Sequence, residues 1–312
     1  MPRKLSHPGW TQNLVEASGL RAGERVLVVV DEPLLEQGSQ LLAAVTDAGA
    51  KAHLELWRGL APVDHGIASD LLLFLAQEPQ AHEAQERFTL AQSLTSRGGR
   101  AMFLGFVDPE LLAGELSRPG PDLTDTARRL LDRLEGAREL RVTGRAGTDL
   151  TLRVEGRPWI TDSKTLGPGD FANYPNGEVF VAPHRDGADG VLVADVTVPY
   201  TVDGLVDEPV TLRFERGRVT SIEGGRAAQM LRELVADAGS GADVIAELGI
   251  GFNPTVAPRG HVMLDEKAAN TAHVAIGRNT GAYGGDNEAS IHVDCIFSEP
   301  HVWVDGDALE LP

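Results

Sequence analysis

A chain of 312 residues, 42% hydrophobic and 24% charged, has the composition of a soluble globular protein long enough to bury a full core. Its net charge of −18, with no local run of Lys or Arg, argues against nucleic acid and against an anionic membrane surface as partners. The one cysteine, Cys295, excludes an intramolecular disulfide and a cysteine-ligated zinc site, so any metal must be held by His, Asp and Glu.

Residues 1–25 have the period of an amphipathic helix followed by a turn, punctuated by Gly19 and Gly23. Arg3 and Lys4 lead into no apolar stretch and no run of eighteen apolar residues occurs, so neither a signal peptide nor a membrane span is expected and the protein reads as cytoplasmic. The run Arg25–Asp31 is of the buried parallel-strand type, and a helix over Leu34–Ala48 and a strand over Ala52–Trp57 complete a βαβ unit. A strand at Leu71–Leu75, a helix over 84–97 and a strand at Ala101–Val107 continue the alternation. An α/β N-terminal domain with a parallel sheet over residues 1–137 is therefore expected. The Asp31-Glu32-Pro33 turn closes a parallel strand where such sheets bind ligands, but it lacks a Gly-rich phosphate loop.

Pro119, Gly120 and Pro121 break the chain, a helix over Asp125–Leu134 follows, and the rhythm then changes. Short alternating segments at Glu139–Val142, Asp149–Val154, Val191–Val198, Val210–Phe214 and Arg218–Ile222, with one helix at Ala227–Ala238, predict a mainly β C-terminal domain over 138–312. Glycine, at roughly 11% against a usual ~7%, is densest in this half.

Three stretches of that half concentrate the chemistry-bearing residues: Asn173–Pro183, Ala246–Asn253 with Leu264–Lys267, and Thr271–Gly277 leading through Tyr283–Asn287 to Ser290–Asp294. His292 and Asp294, two apart in a strand-like segment, leave one face of it and can grip one ion together. With Glu247 and His273 they make a hard, nitrogen-and-oxygen donor set suited to zinc, cobalt, manganese or ferrous iron. Spacing alone leaves the plainer readings open. A lone His273 is as readily a satisfied core residue, Glu247 an element cap, Glu178 a surface residue of its Asn-Gly-Glu turn, and Glu266 a surface charge beside Lys267. Cys295 reads as a small buried hydrophobe directed away from His292 and Asp294.

Taken in order, these motifs resemble the M29 metallopeptidases, the aminopeptidase T family. The resemblance rests on Pro175-Asn-Gly-Glu-Val179, Glu247-Leu-Gly-Ile-Gly-Phe-Asn253, Asp265-Glu-Lys267, Thr271-Ala-His-Val-Ala-Ile-Gly277, and Gly284-Gly-Asp-Asn287 through Ile291-His-Val-Asp294. It implies two divalent ions (zinc, cobalt or manganese) held by Glu178, Glu247, His273, His292 and Asp294, with Glu247 shared between them. It further implies release of N-terminal amino acids from peptide substrates, Glu266 as the proton-handling residue, and a homodimer. Two departures stand out. The linker Arg278–Ala282 is shorter than in that family, and Thr280 falls about where a family tyrosine would be, so Tyr283 either replaces it or packs on the Gly-Gly turn. The chain is also similar in length and scaffold to the 2,5-dihydroxypyridine 5,6-dioxygenases. That likeness implies one ferrous iron on His273, His292 and Asp294 and an aromatic small-molecule substrate. A third alternative is a non-catalytic metal-binding relative.

Overall fold

The computed structural model describes residues 7–59, 69–77, 83–163 and 165–312; Arg3 and Lys4 lie outside them. By its contacts the chain groups into two compact units. One comprises Met1–Pro121 with Lys164–Pro175, the other Asp122–Ser163 with Asn176–Pro312. Where sequence reading drew a single division after residue 137, the chain thus passes from one unit to the other three times.

The first unit begins with α1 (Gly9–Ala17), shorter than the expected helix, and alternates strand and helix: β1 (Arg25–Val30), α2 (Leu35–Asp47), β2 (Lys51–Leu56), β3 (Leu71–Leu75), α3 (Glu83–Thr95), β4 (Arg100–Leu104) and α4 (Pro109–Ala113). The second unit then opens with α5 (Thr124–Leu134), β5 (Glu139–Thr143), β6 (Asp149–Arg153) and β7 (Ile160–Thr161), after which β8 (Phe171–Asn173) returns to the first. The five strands of the first unit form a wholly parallel sheet in the order β2-β1-β3-β4-β8. Strands β1 and β3 carry no polar side chain after Arg25 because both faces are covered, and Val26–Val30 and Leu71–Leu75 are buried throughout. Gly38 lets α2 lie close on this sheet, since a Cβ there would stand 2.6 Å from Val30 Cγ1.

The second unit continues with β9 (Glu178–Val181), β10 (Ala188–Ala194), β11 (Val210–Glu215), β12 (Arg218–Glu223), α6 (Arg226–Ala238), β13 (Ile245–Gly251), α7 (Val262–Asp265), β14 (Thr271–Gly277), β15 (His292–Ser298), β16 (His301–Val304) and β17 (Asp307–Leu309). A seven-stranded sheet runs β12-β11-β10-β6-β5-β16-β17, and a five-stranded sheet runs β15-β14-β13-β9-β7. Every strand pair in both is antiparallel. Alternation is plain in β5 and β6, each with one covered face, and is lost in β13 and β14, which are buried residue by residue. Among the described residues no helix is long and apolar enough to cross a membrane.

Candidate metal centre

The cross-strand register of the five-stranded sheet decides what meets. Glu178 on β9 lies opposite Gly251, Gly249 on β13 opposite His273, Ala275 on β14 opposite both Glu247 and Asp294, and Gly277 opposite His292. Paired residues project from the same side of a sheet, and side chains alternate along each strand. Glu178, Glu247, His273, His292 and Asp294 therefore share one face. Each faces a glycine or an alanine on at least one side of the ladder, His273 having Ile296 on its other side, which leaves room for the five functional side chains on one face. Gly249 is the tightest case, because a Cβ there would enter the His273 imidazole. The glycine excess of this half thus serves close approach as well as turns.

A second element covers the same face. Residues 266–268, following α7, pass so near Gly251 that a Cβ on it would stand 2.8 Å from the Glu266 carbonyl oxygen. That path delivers Glu266 and Lys267 into the interior. Lys267 is fully buried; its ammonium donates to Glu178 Oε1 and to Glu266 Oε1 (2.7 Å) and lies 3.5 Å from Asp162 Oδ2. Asp162, at the end of β7, also accepts from the backbone N–H groups of Gly177 (2.9 Å) and Glu178 (3.1 Å).

The histidines close the cluster. His273 Nε2 stands 3.2 Å from Glu247 Oε1, 3.7 Å from Glu178 Oε2 and 3.9 Å from Asp294 Oδ1. His292 Nε2 stands 3.5 Å from Glu247 Oε2 and 3.2 Å from Asp294 Oδ1. Its Nδ1–H donates to the Arg278 carbonyl at 2.6 Å, which orients the ring with Nε2 toward the carboxylates. Three overlapping groups are spaced to hold a cation: Glu178, Glu247 and His273; Glu247, His292 and Asp294; and Glu266, His273 and Asp294. Glu178 Oε2 and Glu247 Oε2 are buried without a hydrogen-bond partner, and such atoms are costly unless a cation or water reaches them. The donor set and its unsatisfied oxygens fit a divalent ion.

The electrostatics of so many buried charges are strongly perturbed. Burial pushes the Glu178 carboxyl well up, and Glu266 and Asp162 add to the rise against the opposing pull of Lys267. Burial alone would lower the His273 imidazole, but Glu247, Asp294 and Glu178 hold it up at about 10. Asp294 resists burial because His292, His273 and Lys267 surround it, and it falls to about 2.

Tyr283 stacks on the His292 ring at 4.6 Å and 26°, and the Phe180 ring of β9 lies 5.9 Å from the Tyr283 ring. It packs against the imidazole rather than merely on the Gly-Gly turn. The loop that carries it is braced by buried asparagines. Asn279 donates to the Ala246 carbonyl and accepts from Asn287 N–H, while Asn287 donates to the Gly241 and Gly277 carbonyls.

All five sequence-predicted ligand candidates converge. The surface readings of Glu178 and Glu266 do not hold, since both are buried, at 5% and 6% exposure. Cys295 is buried beside Val274, off the ligand face, as expected. Sequence reading missed Asp162, which sits in Thr161-Asp-Ser163 with no spacing relation to the other motifs.

Comparison with known proteins adds two relationships. A family profile described as NicX, 2,5-dihydroxypyridine 5,6-dioxygenase, matches residues 88–310. Aminopeptidase T of Thermus thermophilus is 32% identical over 181 residues, 51% of this chain and 43% of that relative, so the match spans less than half of its length. Among solved structures, 2,5-dihydroxypyridine dioxygenase from Pseudomonas putida superposes with a TM-score of 0.76 at 21% identity, covering 97% of this chain and 94% of the other. Wild-type AmpT from Thermus thermophilus superposes at 0.69 and 18% identity, covering 97% and 98%. At these identities the structural likenesses establish the fold.

Proposed function

The chain belongs to the NicX family, and from the geometry of its candidate metal centre we propose that it is a metallo-hydrolase that releases N-terminal amino acids from peptides, using two divalent ions. The observation that carries this reading is Glu247, whose two oxygens are turned to different imidazoles, Oε1 to His273 and Oε2 to His292. One carboxylate so placed would serve two adjacent cation positions. Glu178 and His273 complete the first, and His292 and Asp294 the second.

Bound there, zinc, cobalt or manganese supplies Lewis acidity toward a carbonyl oxygen and a water. The protein's own groups do the rest. The Arg278 carbonyl and the Tyr283 ring hold the His292 imidazole in one orientation and one tautomer. Glu266, whose carboxyl burial raises above its usual range, is the group assigned to take up a proton and return it to the leaving amine, at the oxygen that Lys267 does not engage. Residues 138–312 carry this machinery, and the protein is read as a cytoplasmic homodimer.

A second reading has its own support in the family profile. It places one ferrous ion on His273, His292 and Asp294 and takes an aromatic ring as substrate. Metal content of protein purified anaerobically without added metal separates the two. About two ions of zinc, cobalt or manganese per chain, with amino-acid release from peptides, is the expected result. One iron per chain, with oxygen uptake on an aromatic substrate, sinks the hydrolase. A chain that takes up no ion is the non-catalytic relative.

A further inference from the structure

We infer that Lys267 is a positioning residue that rations the carboxylate oxygens of the metal centre, leaving Glu178 one oxygen for an ion and Glu266 one oxygen for proton transfer. The inference rests on the metal-binding reading above and gives a role to a residue which that reading names only as a neighbour of Glu266. The geometry is specific. The Lys267 ammonium is fully buried, engages Glu178 through Oε1 and Glu266 through Oε1 at 2.7 Å, and has Asp162 Oδ2 at 3.5 Å. Glu178 Oε2, the oxygen not taken, lies 3.7 Å from His273 Nε2 and has no hydrogen-bond partner. Glu247, which the lysine does not touch, keeps both oxygens facing the imidazoles.

Two consequences follow from elementary coordination chemistry. Without the ammonium, Glu178 and Glu266 would each be free to chelate through both oxygens and fill positions that substrate and water need, since catalytic sites keep a position open. The ammonium also places a positive charge beside the cation positions and so weakens ion binding by repulsion. Lys267 therefore trades affinity for an open coordination sphere. Asp162, held by two backbone N–H groups, also holds the lysine ammonium, at 3.5 Å.

The test compares the wild-type chain with Lys267→Met, each loaded with Co(II), by chelator competition and visible absorption. A lysine that rations oxygens predicts that K267M binds cobalt about tenfold tighter or more, with weaker d–d bands from a higher coordination number. A lysine that merely supports packing predicts the opposite sign, a loosened site that binds more weakly, and that result or unchanged affinity overturns the inference. Because K267M without metal carries uncompensated buried carboxylates, it is to be refolded with cobalt present. If it still fails to fold, the crystal structure of cobalt-loaded wild type decides. Lys267 remaining on Glu178 and Glu266 supports the inference, and its displacement by an ion overturns it. A wild-type chain that takes up no cobalt sinks the metal reading itself, which distinguishes that failure from this one.

Discussion

Glu247 and His292 differ in what their loss should do, and that difference tests the shared-carboxylate geometry. Replacing His292 with Ala removes a donor from one cation position, so about one ion per chain is expected to remain by elemental analysis. Glu247→Ala removes a donor from both positions, and uptake of both ions should fail. Equal loss in the two variants would contradict the arrangement. Gly249 matters for a steric reason. Its missing side chain is the space the His273 ring occupies, so Gly249→Ala is expected to cost about 1–3 kcal/mol in urea unfolding and to displace the imidazole from its carboxylates. Unchanged stability with lost metal affinity would place the damage in the ring alone.

At the level of strands and loops, the chemistry depends on register more than on any one motif. Strands β9, β13, β14 and β15 bring together residues more than a hundred positions apart because each places its functional side chain opposite Gly or Ala. Much of this was legible in sequence. His292 and Asp294 share a face because strand side chains alternate, and the buried runs of β1 and β3 announced a covered parallel sheet. Other parts were not. Strand β8 is three residues long and β7 two, too short for any period to show, and Lys267 meets Asp162 and Glu178 from a segment about a hundred positions away. The loop holding Tyr283 depends on Asn287, which donates to two buried carbonyls. Asn287→Ala should destabilise the protein by about 1–3 kcal/mol and broaden the ring resonances of Tyr283 as its stacking on His292 loosens; sharp, unshifted resonances would contradict the brace.

For the molecule as a whole, metal uptake and proton release should be coupled. In the metal-free chain His273 is held up at about 10 by its carboxylate neighbours, so it carries a proton at neutral pH that an ion must displace. Ion affinity is therefore expected to rise with pH by about tenfold per unit through pH 6–9, one proton leaving for each ion taken at that position. Calorimetry in buffers of different ionisation enthalpy measures the released protons, and a pH-independent affinity would show that the imidazole is already free. The same coupling makes the second unit sensitive to chelators, since ion removal leaves its buried carboxylates facing one another.

The parallel sheet draws its last strand from residues that follow an excursion of some forty positions into the second unit. A chain emerging from the ribosome can build β1 to β4 early, but the free edge of β4, with Phe103 waiting for Phe171 at 5.1 Å, is closed only after β8 has been synthesised. Until then an unpaired edge is exposed to neighbouring nascent chains. Expression at low temperature or with slowed initiation should accordingly raise the soluble yield of the full chain more than that of a circular permutant in which β8 is translated beside β4.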